Sequence, residues 1–221
     1  MIKTTILSVI YFLIGITFIV LEPHASFYME LTVKALIIPI LVFILLINLR
    51  QNINRLCGFM LAGLFFSWAG DISLEFSFIP GLVCFLMAQI MYLTTFFLTP
   101  GENVIFHNRK WLLIPVILYG AGLLWFLFDD LNEMFIPVII YTLVILTMVS
   151  ASINRMKKVN RESYWLILTG AVLFLISDSA IAIDKFSLPF KLSTLVIMST
   201  YVTAQYLIIL GFIRQFREKT I

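Results

Sequence analysis

Three ionisable side chains lie inside long apolar stretches of the sequence, where they could take part in chemistry. Asp71 and Asp178 each follow a glycine by eight residues, and Lys34 lies in an earlier stretch. An aspartate at the centre of a membrane helix costs about 2.5–3.5 kcal/mol on insertion scales, so a chain that keeps two is expected to use them. Two close carboxylates in a low dielectric cannot both ionise comfortably. We therefore predict that Asp71 and Asp178 form a general acid and base pair.

Polar residues that could accompany this pair recur at helical spacing. Gln89 and Tyr92 share one helix face, and Tyr201 and Gln205 share another. Lys34 could stabilise the charged carboxylate or bind a phosphate as a point charge. We predict the catalytic residues to be Asp71 and Asp178 and the substrate-binding residues to be Lys34, Gln89, Tyr92, Tyr201 and Gln205. The alternative is that these groups are buried hydrogen-bonding partners between helices, each worth only about 0.6–2 kcal/mol.

The residue types that bind metals are sparse and scattered. The two histidines, His24 and His107, fall in predicted loops on opposite faces of the membrane, and Cys57 and Cys84 lie at different depths. The sequence has no Gly-x-Ser-x-Gly and no glycine-rich phosphate loop. It therefore predicts a site without a metal or cofactor.

The elements that hold these residues follow from composition. Hydrophobic residues make up 62% of the 221 residues and charged residues 12%, against about 45–50% and about 25% in soluble domains. The mean hydropathy is +1.06, which excludes a soluble fold and a disordered chain. Runs of about 20 apolar residues predict an all-α, polytopic transmembrane bundle in one integral membrane domain, 1–221. The predicted spans are 4–21, 31–48, 56–75, 79–98, 111–128, 134–151, 163–182 and 192–212.

The basic residues predict the orientation of these spans. Twelve of the 15 fall on one side: Lys3, Arg50, Arg55, Arg109, Lys110, Arg155, Lys157, Lys158, Arg161, Arg214, Arg217 and Lys219. By the positive-inside rule both termini are cytoplasmic in a cell (inner) membrane, and eight spans are favoured. Lys34, Asp71 and Asp178 then lie in the outer half, in a cavity open to the outer leaflet. The basic patches indicate contact with membrane lipids, and nothing indicates nucleic acid or specifies an oligomeric state.

Two parts of the sequence are similar to each other. The segments 63–71 and 170–178 both run from a glycine to an aspartate, and the following predicted helices carry Ala88-Gln89 and Ala204-Gln205. These pairs predict a duplicated four-helix unit, a 4+4 repeat with both copies facing the same way.

The same segments resemble the motifs of a known family. Phe66 to Leu74 resembles its Phe-Ser-x-x-Gly-Asp signature, 170–178 resembles its second aspartate signature, and 201–208 resembles its closing Tyr-x-x-Ala-Gln-x-Leu-Ile. The helix 81–92 is similar too, with Gln89 where the family usually has histidine, and Lys34 matches a lysine usually followed by proline. Over nearly its whole length the chain resembles the YhhN-like lysoplasmalogenase family of eight-span membrane proteins.

This resemblance implies an activity. It is hydrolysis of the vinyl ether bond of a lysophospholipid, a lysoplasmalogen, to a fatty aldehyde and glycerophosphoethanolamine or glycerophosphocholine. The resemblance implies that the two aspartates supply the acid and the stabilising carboxylate. Gln89, Tyr201 and Gln205 would position water or the glycerol hydroxyls, and Lys34 would hold the phosphate.

Three other functions are compatible with intramembrane aspartates. A proton-coupled transporter or lipid-binding protein would use them as a relay, but it needs access from both faces, whereas these charges cluster in one half. A hydrolase acting on an ester or amide usually needs a metal or a stronger nucleophile. The third alternative is an accessory protein without chemistry.

Overall fold

The computed structural model describes residues 2–22, 26–49, 53–103 and 109–216, with side chains from Thr4 onward. These residues form eight α-helices and no β-strand, which confirms the predicted all-α class. The helices are α1 (Ile2–Leu21), α2 (Phe27–Leu49), α3 (Arg55–Phe76), α4 (Phe78–Phe97), α5 (Ile114–Leu127), α6 (Phe135–Ile153), α7 (Arg161–Phe186) and α8 (Ser193–Arg214). His24, His107, Arg50, Arg217 and Lys219 lie outside the described residues.

All eight helices are long and apolar enough to cross a membrane once the short 3-10 turns before α5 and α6 are included. The eight predicted spans are therefore confirmed, and the protein is an integral membrane protein. Two helices exceed their predicted bounds by a full turn at one end: α2 begins at Phe27 instead of 31, and α7 ends at Phe186 instead of 182. Both extensions add polar residues that hydropathy alone leaves out, such as Glu30 in α2 and Asp184 in α7.

The helix starts follow from local sequence. The Asn54 side chain accepts a hydrogen bond from the Cys57 amide at 3.1 Å and begins α3, and Asn160 caps α7 in the same way at 2.8 Å from the Ser163 amide. Such N-caps satisfy an amide that the first helical turn leaves without a partner. The α5 and α6 helices instead begin after single 3-10 turns, Lys110–Leu113 and Asn132–Met134.

The chain divides into two compact units, residues 1–92 and 93–221. In the first unit, α2 packs against both α1 and α3. In the second unit, α7 and α8 pack along most of their lengths. Gly170 of α7 lies against α8, where an added Cβ would be 2.9 Å from the Ala204 carbonyl oxygen. Small residues of this kind let membrane helices approach closely. The duplicated four-helix repeat stays a prediction.

Candidate functional site

In the first unit, Asp71 is almost fully enclosed. It lies on α3, five residues before the end of the helix, with 2% of its surface exposed. Ser67, one turn earlier, is fully buried, and its hydroxyl is 3.4 Å from the Tyr92 hydroxyl of α4. Gln89, one turn before Tyr92, is also fully buried. The structure thus gathers polar groups from α3 and α4 within this unit.

Two glycines allow this close approach of α3 and α4. A Cβ on Gly63 would lie 2.5 Å from the Tyr92 ring, and one on Gly70 would lie 2.8 Å from the Phe85 ring. Real Cβ atoms do not come so close, so a larger residue at either position would force the Tyr92 or Phe85 ring to move. Packing of the α4 rings beside α3 therefore explains why Gly63 and Gly70 precede Asp71 in the sequence.

Lys34 is held by an ion pair that the sequence analysis did not predict. Its Nζ is 2.7 Å from Oε1 of Glu75, and both side chains are largely buried. The same ammonium lies 5.5 Å from the centre of the Phe18 ring, close enough for a cation–π contact. Trp68 donates from Nε1 to the Ala35 carbonyl oxygen at 2.9 Å, which links α3 to α2 next to Lys34. An ammonium has three donors, so a phosphate contact would be additional to the bond with Glu75.

In the second unit, Asp178 accepts a hydrogen bond that the sequence analysis missed. The Tyr141 hydroxyl of α6 donates to its Oδ2. One residue along α7, the Ser179 hydroxyl accepts from the Tyr119 hydroxyl of α5 at 2.9 Å. Two tyrosines from different helices thus bond to adjacent positions of α7.

The sequence contains a weak indication that Tyr141 is a partner of Asp178. Tyr141 lies six residues after the start of α6, and Asp178 lies eight residues before the end of α7. Neighbouring antiparallel spans place such positions at similar depth. Matching the polar residues of consecutive spans by depth would therefore have selected Tyr141.

The remaining predicted residues of this unit lie on α8. Gln205 is fully buried and donates from Nε2 to the Tyr201 hydroxyl at 3.3 Å. The Tyr201 ring meets the Phe174 ring of α7 edge-on, with the centroids 5.5 Å apart. Tyr201 and Gln205 therefore share one face of α8, as their spacing predicts.

The predicted site residues fall into two sets, one in each unit. Lys34, Asp71, Gln89 and Tyr92 belong to residues 1–92, and Asp178, Tyr201 and Gln205 belong to residues 93–221. All are buried except Asp178, which is partly exposed. Within the described residues, no three His, Cys, Asp or Glu side chains cluster as metal ligands would. The groups that the sets supply are carboxylates, hydroxyls, amides and the Lys34 ammonium, and the carboxylates and hydroxyls suit proton transfer and hydrogen bonding.

Comparison with known proteins bears on what these groups do. Lysoplasmalogenase TMEM86A of Bos taurus is 34% identical over 158 residues, which cover 67% of this chain and 62% of that protein. Lysoplasmalogenase TMEM86B of Homo sapiens is 31% identical over 145 residues, or 65% of this chain and 58% of that protein. The protein of the same name from Sus scrofa is 34% identical over 151 residues, or 66% and 59%. The chain spans about three fifths of the length of these curated relatives.

No solved structure shows significant similarity to the chain. The YhhN family matches residues 29–212, which include every predicted site residue from Lys34 to Gln205. Since that match covers most of the sequence, as the motifs predict, the chain belongs to the YhhN family.

Proposed function

We propose that this protein is a lysoplasmalogenase, a membrane enzyme that hydrolyses the vinyl ether bond of lysoplasmalogens. The observation that carries the proposal is its similarity to proteins named lysoplasmalogenase, at 31–34% identity over about two thirds of the chain. The buried carboxylate of Asp71 in one unit and the hydrogen-bonded, partly exposed carboxylate of Asp178 in the other support it, because vinyl ether hydrolysis depends on proton transfer.

The reaction has three steps. A general acid protonates the alkene carbon that is not bonded to oxygen, which gives an oxocarbenium ion. Water adds to that cation and loses a proton to a base, which gives a hemiacetal. The hemiacetal collapses to a fatty aldehyde and the glycerol hydroxyl of the glycerophospho-alcohol. One water is consumed and the proton is returned, so the protein needs only a positioned acid and a carboxylate.

We assign different roles to the two aspartates. We assign to Asp178 the role of the carboxylate that stabilises the cation and orients water, because the hydrogen bond from Tyr141 to its Oδ2 fixes the orientation of that carboxylate. Asp71, which is almost completely buried on α3, is then the general acid of the pair. The proposal that both aspartates take part in the reaction rests on their matching places in the two similar segments of the sequence.

The other predicted residues bind the substrate. Lys34 holds the phosphate through a donor that does not serve Glu75. The hydroxyl and amide groups of four residues position water and the glycerol hydroxyls: Gln89, Tyr92, Tyr201 and Gln205. The basic residues favour cytoplasmic termini in the cell (inner) membrane and a site that faces the outer leaflet.

The decisive experiment measures aldehyde release by the purified protein in micelles. A lysoplasmalogen is the substrate, and the ester-linked lysolipid with the same head group is the comparison. We expect aldehyde from the vinyl ether only. Asp71→Asn and Asp178→Asn should each lower kcat by about 10²-fold or more, the usual contribution of a positioned acid or base.

Asp184→Asn is the matched control on α7. Asp184 accepts a hydrogen bond from the Phe190 amide through Oδ1 at 3.1 Å, and asparagine keeps that oxygen. This variant should retain activity within about 2-fold, since surface and cap changes that keep their bonds are nearly neutral. Activity that survives Asp71→Asn or Asp178→Asn would exclude the paired mechanism. No aldehyde from the unmodified protein would favour the transporter alternative.

A further inference from the structure

A buried arginine lies at the opposite end of α7 from Asp178. Arg155 follows α6 and is completely enclosed. Its Nη2 donates to the Ser163 hydroxyl of α7 at 3.2 Å and to Oε1 of Gln215, just after α8, at 2.7 Å. The Phe96 ring, near the end of α4, lies 5.6 Å from the guanidinium carbon. Arg155 thus joins the helix ends that meet at one membrane face of the second unit.

Several donors around Arg155 have no acceptor in the described part of the chain. They are Nε and Nη1 of Arg155 itself and Nε2 of Gln215, all buried. Buried polar groups in proteins are nearly always hydrogen-bonded, so each exception requires an explanation. Here every such atom is a donor, and a set of unmatched donors can be satisfied only by an acceptor.

The charge around Arg155 is also unbalanced. The ion pairs Lys34–Glu75 and Arg214–Glu162 do not involve Arg155. Burial lowers the pKa of Arg155 to about 9. Lys158 is close by, since its backbone amide donates to the Arg155 carbonyl oxygen at 3.0 Å, and burial and the charge of Arg155 together lower the pKa of its ammonium. Neither Arg155 nor Lys158 forms an ion pair with a carboxylate of the described residues, whereas a buried charge normally has a partner.

We propose that Arg155, Lys158 and Gln215 form a binding site for a phosphate group at this membrane face. Guanidinium and ammonium groups are the usual partners of phosphate oxygens, and the Gln215 amide supplies a neutral donor. Lys158 and Gln215 are partly exposed, so the donor set extends from the interior to the surface. Asn103 steadies Lys158 by accepting from its Nζ at 2.8 Å.

This site is separate from the proposed catalytic residues. Arg161 begins α7, and Asp178 lies seventeen residues further along it, about 25 Å at 1.5 Å per residue. The phosphate could come from the head group of an anionic lipid, which is abundant at cytoplasmic membrane surfaces, or from free phosphate in solution. Both sources present the same tetrahedral anion to Arg155.

Thermal unfolding of the full chain in maltoside micelles tests the proposal and separates the two sources. One arm adds dihexanoyl phosphatidylglycerol, a second adds inorganic phosphate, and a third adds chloride at matched ionic strength. A ligand that binds only the folded protein raises Tm, and we expect a rise of at least ~3 °C in the first arm, the second or both. A response to the lipid alone assigns the site to a head group, and a response to phosphate shows that the free anion suffices.

Variants then tie the effect to these residues. Arg155→Gln should abolish the rise in Tm, and Lys158→Gln, a change at a partly exposed residue, should weaken the apparent affinity about 5-fold or more, the loss of one charge-assisted bond. Arg161→Gln is the control, because Arg161 is exposed at the same face and should leave the response unchanged. If Arg155→Gln does not fold, Lys158→Gln decides. Equal responses in all arms, or a full response in Lys158→Gln, would overturn the proposal.

Discussion

Two tyrosines on other helices bond to the neighbouring residues Asp178 and Ser179 of α7. Asp178 accepts from Tyr141, whereas the adjacent Ser179 accepts from Tyr119. The two hydroxyls come from different helices and reach consecutive positions of α7, but only one reaches a carboxylate. A comparison of variants at Tyr141 and Tyr119 therefore separates an effect on catalysis from an effect on packing.

Tyr141→Phe is predicted to impair catalysis and Tyr119→Phe is not. Loss of the Tyr141 hydroxyl removes the bond that orients Asp178, so kcat should fall about 10-fold or more while KM changes little, as expected when an interaction matters mainly in the transition state. Tyr119→Phe should change kcat by less than about 2-fold. Steady-state kinetics of aldehyde release in micelles measures both. An equal fall in the two variants would mean that Tyr141 acts only through packing.

The Lys34–Glu75 ion pair leads to a second prediction, which concerns the free energy of unfolding. Removing either partner leaves a largely buried charge uncompensated, so Lys34→Gln and Glu75→Gln should each destabilise the protein by about 1–3 kcal/mol. The double variant leaves no charge and should lose less than the sum of the two single losses. Thermal unfolding of the four proteins in micelles forms the double-mutant cycle. Additive losses would show that the two side chains do not interact in the folded protein.

At the scale of helices, the glycines at which a neighbouring helix lies close lead to a prediction about stability. A Cβ at Gly170 of α7 would lie 2.8 Å from the Ile208 side chain and 3.0 Å from its amide nitrogen. Since backbone atoms cannot swing aside, Gly170→Ala should destabilise the protein by about 1–3 kcal/mol. Gly122→Ala on α5, where nothing lies within 4 Å of the added carbon, should be neutral or slightly stabilising because alanine favours helix. Melting temperatures that rank the two variants the other way would contradict the close approach of α7 and α8.

The helices could be predicted from the sequence because a helix that crosses lipid needs a long apolar segment, and each of the eight apolar runs is long enough. The hydrogen-bonding and ion-pair partners on different helices could not be predicted. Glu75 lies four residues after Asp71 and shares its helix face, yet its partner is Lys34 of another helix. Likewise, Tyr141 bonds to Asp178, 37 positions further along the chain, and Arg155 bonds to Gln215, 60 positions further along. Hydropathy reports the depth of a residue, whereas a hydrogen bond also depends on how each helix is rotated about its axis.

At the scale of the whole molecule, the charged residues are distributed unevenly between the two membrane faces. The basic residues concentrate where α6 and α8 end and α7 begins, and Lys34, Glu75, Asp71 and Asp178 lie toward the other ends of their helices. The positive-inside rule then predicts that the proposed site is reached from outside and the Arg155 site from the cytoplasm. The two sites would encounter different leaflets and different lipids.

This orientation predicts that substrate is accepted from one side only. A lysolipid crosses a bilayer slowly because its charged head group must pass through hydrocarbon, so lysoplasmalogen added to sealed vesicles reaches mainly the exposed leaflet. Right-side-out vesicles should release aldehyde about 10-fold faster than inside-out vesicles that hold the same amount of protein, a factor set by how well the preparations are sealed and oriented. Dissolving both preparations in detergent is the control and should equalise the rates. Faster release from inside-out vesicles would reverse the predicted orientation, and equal release from sealed vesicles would indicate access from both faces, which the transporter alternative requires.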